Sequence, residues 1–146
     1  MQSLLIGEYY HTLDKKGRAI VPSRLREKLG DKFIITRGLD GCLFLYPMEE
    51  WAALEEGFKN LSFTKSEARA FMRLLFSGAS EVEIDKQGRI LIPQLLREQA
   101  HFKKDIVFIG VSSRAEVWSK ENWEEYRSKA DLSFEQVAEN LIDLQL

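Results

Sequence analysis

Apolar and polar positions follow two periods along this chain, and the periods assign most of its elements. Glu81-Val82-Glu83-Ile84 alternates, as a half-buried strand does. Residues 7–13 carry Tyr9 and Tyr10, which favour an extended backbone, and also read as a strand. Asp14-Lys15-Lys16-Gly17 is a turn, since aspartate bonds its own backbone and glycine takes a positive φ. Residues 18–21 return as a strand, so a hairpin is predicted, ended by Pro22. A short helix over 23–29 stops at Gly30. Residues 32–36 form a continuous apolar strand, Leu39-Asp40-Gly41 a turn, and 42–46 the next strand. Pro47 opens a helix through Trp51 and Leu54 to about Gly57.

A linking helix is predicted next. Thr64-Lys65-Ser66-Glu67 fits a capping box, and Ala68, Phe71, Met72 and Leu75 follow at helical spacing up to Ser77-Gly78. Beyond it, residues 85–88 read as a turn and 89–92, 106–109 and 116–118 as strands. Ser119 is a candidate N-cap for a helix bearing Trp123 and Tyr126. Ser133-Phe134-Glu135-Gln136 predicts the start of a last helix with Phe134, Val137, Ala138 and Leu141 on its apolar face.

The second half repeats the first. Asp14-Lys15-Lys16-Gly17-Arg18-Ala19-Ile20-Val21-Pro22 returns as Asp85-Lys86-Gln87-Gly88-Arg89-Ile90-Leu91-Ile92-Pro93, 71 residues later. Asp, Lys, Gly, Arg and Pro keep their places, and apolar places stay apolar. Allowing one extra residue in the second copy, 33–38 lies over 105–110, 43–46 over 115–118, and Trp51 over Trp123. Repetition on this scale marks a duplicated structural unit. The expected division is residues 1–57 as the first unit, 58–78 as the link and 79–146 as the second.

Composition narrows the class. A chain of 146 residues with 45% hydrophobic residues suits a soluble globular protein with a real core. Its apolar runs are a few residues long, so no membrane span and no secretory signal are expected, and the expected location is cytoplasmic. One cysteine, Cys42, excludes an intrachain disulfide and a cysteine-rich zinc site. The net charge of −2 hides a polarity. Between Tyr9 and Arg37 eight Lys/Arg face three acidic residues, and from Glu116 to Leu146 three basic residues face eight acidic ones. A local basic patch of this kind engages polyanions whatever the total charge.

The basic residues concentrate on the two predicted hairpin tips: Lys15, Lys16 and Arg18 on the first, Lys86 and Arg89 on the second. A two-stranded ribbon fits the major groove of B-DNA, where arginine bonds guanine O6 and N7 together and lysine meets phosphate. Asp14, Gly17, Asp85 and Gly88 are expected to shape the turns. Against this stands a plain structural reading, in which aspartate caps an ordinary turn and arginine pairs with it. Catalysis is not expected. His11 and His101 have no matched partners, Cys42 has no nearby histidine, and there is no phosphate loop or dinucleotide fingerprint. No cofactor or metal is expected. A third reading is an assembly module, with Trp51, Phe71, Phe76 and Trp123 on joining helices.

The doubled Asp-x-x-Gly-Arg-x-x-x-Pro arrangement resembles the MraZ family of bacterial transcriptional regulators. So do Gly7-Glu8-Tyr9, Ala68-Arg69-Ala70-Phe71, Ser77-Gly78-Ala79 and the Trp51 and Trp123 helices, over nearly the whole chain. The resemblance implies an α+β fold: two tandem AbrB-like swapped-hairpin β units forming an intrachain pseudo-dimer barrel with peripheral helices. It implies a homo-oligomeric ring, octamer-like, associated with the nucleoid. It implies sequence-specific binding to double-stranded DNA at repeated G-rich boxes, repressing the family's own division and cell-wall operon. Lys16 and Arg18 correspond to its DNA contacts, with Lys86 and Arg89 as second-copy equivalents. Gln87 replaces Lys16 in the second tip, so the first is expected to be the main contact. The alternative is an oligomeric scaffold or an antitoxin-like partner-binding module whose hairpins are structural.

Overall fold

Two nearly continuous apolar runs, one in each half, become inner strands of one sheet because both their faces are covered. The computed structural model describes residues 4–141. Its elements run β1 (Glu8–Thr12), β2 (Arg18–Ile20), α1 (Ser23–Leu29), β3 (Lys32–Arg37), β4 (Leu43–Pro47), α2 (Met48–Phe58) and α3 (Ser66–Ser77). The second half gives β5 (Ser80–Glu83), β6 (Arg89–Leu91), α4 (Gln94–Gln99), β7 (Asp105–Gly110), β8 (Ala115–Ser119) and α5 (Lys120–Asn140). No helix among the described residues is long and apolar enough to cross a membrane.

Six strands form an antiparallel sheet in the order β1-β7-β8-β4-β3-β5, and β2 pairs with β6 in a separate ribbon. Exchanging the halves leaves this order unchanged, so the duplication is a pseudo-two-fold axis. The axis passes between β4 and β8, where Phe44 faces Glu116, and between Ala19 and Ile90 in the ribbon.

Side-chain alternation sends the two faces of the sheet to different clusters. On β3, Phe33 and Ile35 point to the inner core and Ile34 to the outer one; on β7, Ile106 and Phe108 point in, Val107 and Ile109 out. The inner cluster is closed by Ala19, Val21, Leu25, Ile90, Ile92 and Leu96 from the ribbon, α1, α4 and the adjoining chain. The outer cluster is covered by α2, α3 and the start of α5 through Trp51, Leu75, Phe76 and Trp123. Thr36 Oγ1 donates to Leu75 O at 2.7 Å and ties α3 to β3.

The structure corrects several expectations. The predicted hairpins are not ladders: each tip joins two strands that pair elsewhere, β1 with β7 and β2 with β6. The barrel does not close, because the edge strands β1 and β5 have no mutual pairing and the ribbon covers the open side instead. The alignment of the halves is one residue off in β3 and β7. Lys32 pairs with Glu83 as Asp105 pairs with Thr12, so Ile35 corresponds to Phe108 and not to Val107. A slip of one residue exchanges inward and outward faces, and burial against two clusters fixes the register.

Two capping boxes also fail to form. Thr64 shares a hydrogen bond with Ser62 at 2.8 Å, and α3 starts after Lys65 with no side-chain cap. Ser133 lies inside one continuous α5, where its hydroxyl donates back to Ala130 O. Ser119 does cap α5, accepting from Asn122 N at 3.1 Å. The outermost residues of the two expected units, 1–3 and 142–146, lie outside the described residues.

Candidate nucleic-acid interface

Each tip is built by its aspartate. Asp14 Oδ1 accepts from Lys16 N and Arg18 N, both at 2.9 Å, and Oδ2 accepts from Arg18 Nε at 2.7 Å. Asp85 repeats this with Gln87 N, Arg89 N and Arg89 Nε, each at 2.9 Å. Asp14 N donates to Arg18 O and Gly17 N to Asp14 O, closing a compact loop. Gly17 and Gly88 sit at φ 87 and 80, which glycine adopts without strain. Asp14, Gly17, Asp85 and Gly88 all lie within these two loops.

The backbone N–H of Arg18 holds the Asp14 carboxyl below the usual aspartate range, and the Arg89 N–H does the same for Asp85. A lowered folded-state value means the ionised form favours the folded tip. That contribution is present above the ordinary aspartate pKa of about 4 and is lost as pH falls through the lowered value. Acid titration followed by NMR is expected to release the Lys16 and Arg18 amide shifts below roughly pH 4. Asp14→Asn is expected to abolish that step at the first tip and keep it at the second. A first-tip transition unchanged in the variant would refute the assignment.

The aspartates orient the arginines. With Nε held, the two Nη groups form the outer fork of each guanidinium. Arg18 and Arg89 lie on one face of the β2–β6 ribbon, since Ala19 and Ile90 between them are buried on the other face. Arg18 sits opposite Leu91 and Arg89 opposite Ile20, which places the two Cα atoms roughly 8 Å apart on standard strand spacings. Ile20 and Leu91, on the same face, are exposed. Lys15, Lys16 and Lys86 are exposed at the loop ends and have no carboxylate partner among the described residues.

Two residues the sequence reading left aside hold the tips together. Arg26, from the first half, lays its guanidinium against Gly88, and Arg97, from the second, against Gly17. A Cβ on Gly88 would lie 2.8 Å from Arg26 Nη1, and one on Gly17 2.7 Å from Arg97 Nε. Arg26 Nε donates to Val21 O and Arg97 Nε to Ile92 O, both at 2.8 Å. Val21 N then donates to Gly88 O at 2.9 Å and Ile92 N to Gly17 O at 3.0 Å. The sequence marks Arg26 and Arg97 only as equivalents, 71 residues apart like the tips, and does not say that each crosses to the other half.

Over this geometry lies a clear relationship. A family model described as "MraZ protein", with the label "antitoxin-like", matches residues 4–74 and again 75–145. The chain belongs to the MraZ family. It is 57% identical to "Transcriptional regulator MraZ" of Desulforamulus reducens over 141 residues, covering 97% of this chain and 99% of that protein. The same description applies to relatives in a Thermoanaerobacter species, 57% identical over 143 residues, and Moorella thermoacetica, 52% identical over 143 residues. Both alignments cover 98% of this chain and 100% of the relative.

Each MraZ-family match contains one tip, yet the tips of this chain differ. Gln87 Oε1 accepts from Arg89 Nη2, which takes up part of the second fork. The corresponding Lys16 leaves Arg18 open and adds a positive charge. Of the remaining polar candidates, His11 is half-buried in β1 with its ring edge-on to Phe108, and burial pushes its pKa down. Cys42 is buried and its thiol is pushed up by desolvation, so it packs as an apolar group.

Proposed function

We propose that this chain is a transcriptional regulator that binds double-stranded DNA sequence-specifically through the outer face of the β2–β6 ribbon. The observation that carries the reading is the pair of guanidiniums held through Nε by Asp14 and Asp85, with their outer forks on one exposed face. A guanidinium already oriented loses little freedom when it meets guanine O6 and N7. Lys15, Lys16 and Lys86 flank it and suit phosphates. The name shared by relatives more than half identical to it supports the regulatory role. The family resemblance supports repeated G-rich boxes upstream of the chain's own division and cell-wall operon as the target, repression as the effect, and a nucleoid-associated ring of subunits as the working form. The first tip is the stronger contact, because Lys16 and the open Arg18 fork have no full equivalent at Gln87 and Arg89.

The test is binding to the chain's own upstream DNA against a scrambled fragment at two salt concentrations. Preference for the native fragment is expected. Lys16→Ala should weaken both fragments alike and lower the salt slope by about one. Equal, salt-sensitive binding to both fragments would reduce the activity to electrostatics. No binding at low salt would leave the scaffold or antitoxin-like reading, with the tips purely structural.

A further inference from the structure

The pseudo-two-fold axis sets each tip beside a connection that belongs to the other half. Leu13 N, just before Asp14, donates to Lys104 O at 2.8 Å; Ile84 N, just before Asp85, donates to Asp31 O at 2.9 Å. Each bond adds one rung to a ladder already in register, with Thr12 opposite Asp105 and Glu83 opposite Lys32. Lys104 at the first tip and Asp31 at the second are therefore structural equivalents of opposite charge. The repeat offset of 71 residues hides this, because it sets Asp31 over Phe102. The connection is longer in the second half, residues 100–104 against 30–31, and only the strand pairing restores the match.

Both side chains leave the sheet on the ribbon side. Opposite residues of an antiparallel pair share a face, and Leu13 belongs to the inner cluster while Ile84 packs against it. Alternation gives the same result: Lys104 stands two residues before Ile106 and Asp31 two before Phe33, and both of these face inward. Lys104 and Asp31 are nonetheless exposed, at the ends of the strands where the tips emerge. Neither has an ion-pair partner among the described residues, whereas adjacent Lys103 pairs with Glu121 at 3.6 Å. The charge around the two tips is thus unequal. Lys15, Lys16, Arg18 and Lys104 outweigh Asp14 at the first, while Lys86 and Arg89 are balanced by Asp85 and Asp31 at the second.

We propose that Lys104 is a DNA phosphate contact of the first tip, supplied by the second half of the chain, and that Asp31 keeps phosphate off the equivalent place at the second tip. Lysine meets phosphate as a point charge on a flexible stem, so it needs no preset orientation. Placed beside a ribbon in the major groove, it suits the flanking backbone and not a base edge. A carboxylate at the same place repels that backbone. The inference rests on the ribbon reading of the proposed function and adds to it a contact from outside both tips.

The test measures binding of full-length variants to the upstream and scrambled fragments over a range of salt, with circular dichroism as the check on folding. Lys104→Ala is expected to weaken both fragments alike, several-fold, and to lower the salt slope by about one for each engaged copy. Asp31→Lys should do the reverse, tightening both and raising the slope by about one. Lys103→Ala, one residue away, should match wild type. Equal losses in Lys103→Ala and Lys104→Ala would overturn the proposal in favour of general charge attraction. Wild-type slopes in Lys104→Ala and Asp31→Lys, while Arg18→Ala still loses preference, would sink it and leave the ribbon reading standing. A wild-type chain that binds neither fragment at low salt would sink both.

Discussion

Phe108→Ala is expected to cost about 3–5 kcal/mol of folding stability, the range for a buried phenylalanine whose neighbours cannot collapse. Phe108 is fully buried at the centre of β7, between β1 and β8, and it faces the inner cluster. The cavity would be lined by side chains from both halves and from the ribbon, each fixed by its own pairing. Against a total of roughly 5–15 kcal/mol for a domain, the loss is a large share. Urea unfolding monitored by tryptophan fluorescence should show a much lower midpoint with an unchanged slope. A shift corresponding to less than about 1 kcal/mol would mean that the inner face is loosely packed, contrary to the full burial of Phe108 in the inner cluster.

Arg18→Ala is expected to weaken binding to the native upstream fragment by about 1–3 kcal/mol per contact and to relax base preference. In an oligomer with several tips engaged, the loss multiplies through effective concentration. Arg18→Lys should not restore preference. Lysine can bond Asp14 or guanine, but it lacks the fork that does both at once. Arg89→Ala should cost less, because part of that fork is bonded to Gln87. The fold should survive each change, since Arg18 and Arg89 side chains remain 30% and 25% accessible on the ribbon face. Wild-type affinity and preference in Arg18→Ala, with circular dichroism unchanged, would remove the ribbon from the DNA contact.

Much of the site was legible because it is local. Asp14, Gly17 and Arg18 lie within five residues, and a turn that bonds its own backbone needs nothing distant. The same holds for the helix stop at Gly30 and the cap at Ser119. What surrounds the tips was not legible. Arg26 and Arg97 cross to the opposite half, and neither spacing nor residue type says which copy a guanidinium will meet. The break at Thr64 and the continuity of α5 through Ser133 were misread for a related reason. Identical capping patterns either form or fail according to what their hydroxyls and flanking faces find in space.

By itself, then, the sequence determined the duplication, most of the elements, the α+β class and the family. These depend on residue type and short spacing, which the chain carries wherever it goes. The tertiary structure alone decided strand partners and register: that β2 leaves β1 for β6, that Phe108 and not Val107 faces inward, and that the sheet stays open under the ribbon. Backbone donors and acceptors are alike at every residue, so pairing is chosen by which arrangement buries the apolar faces of both halves together.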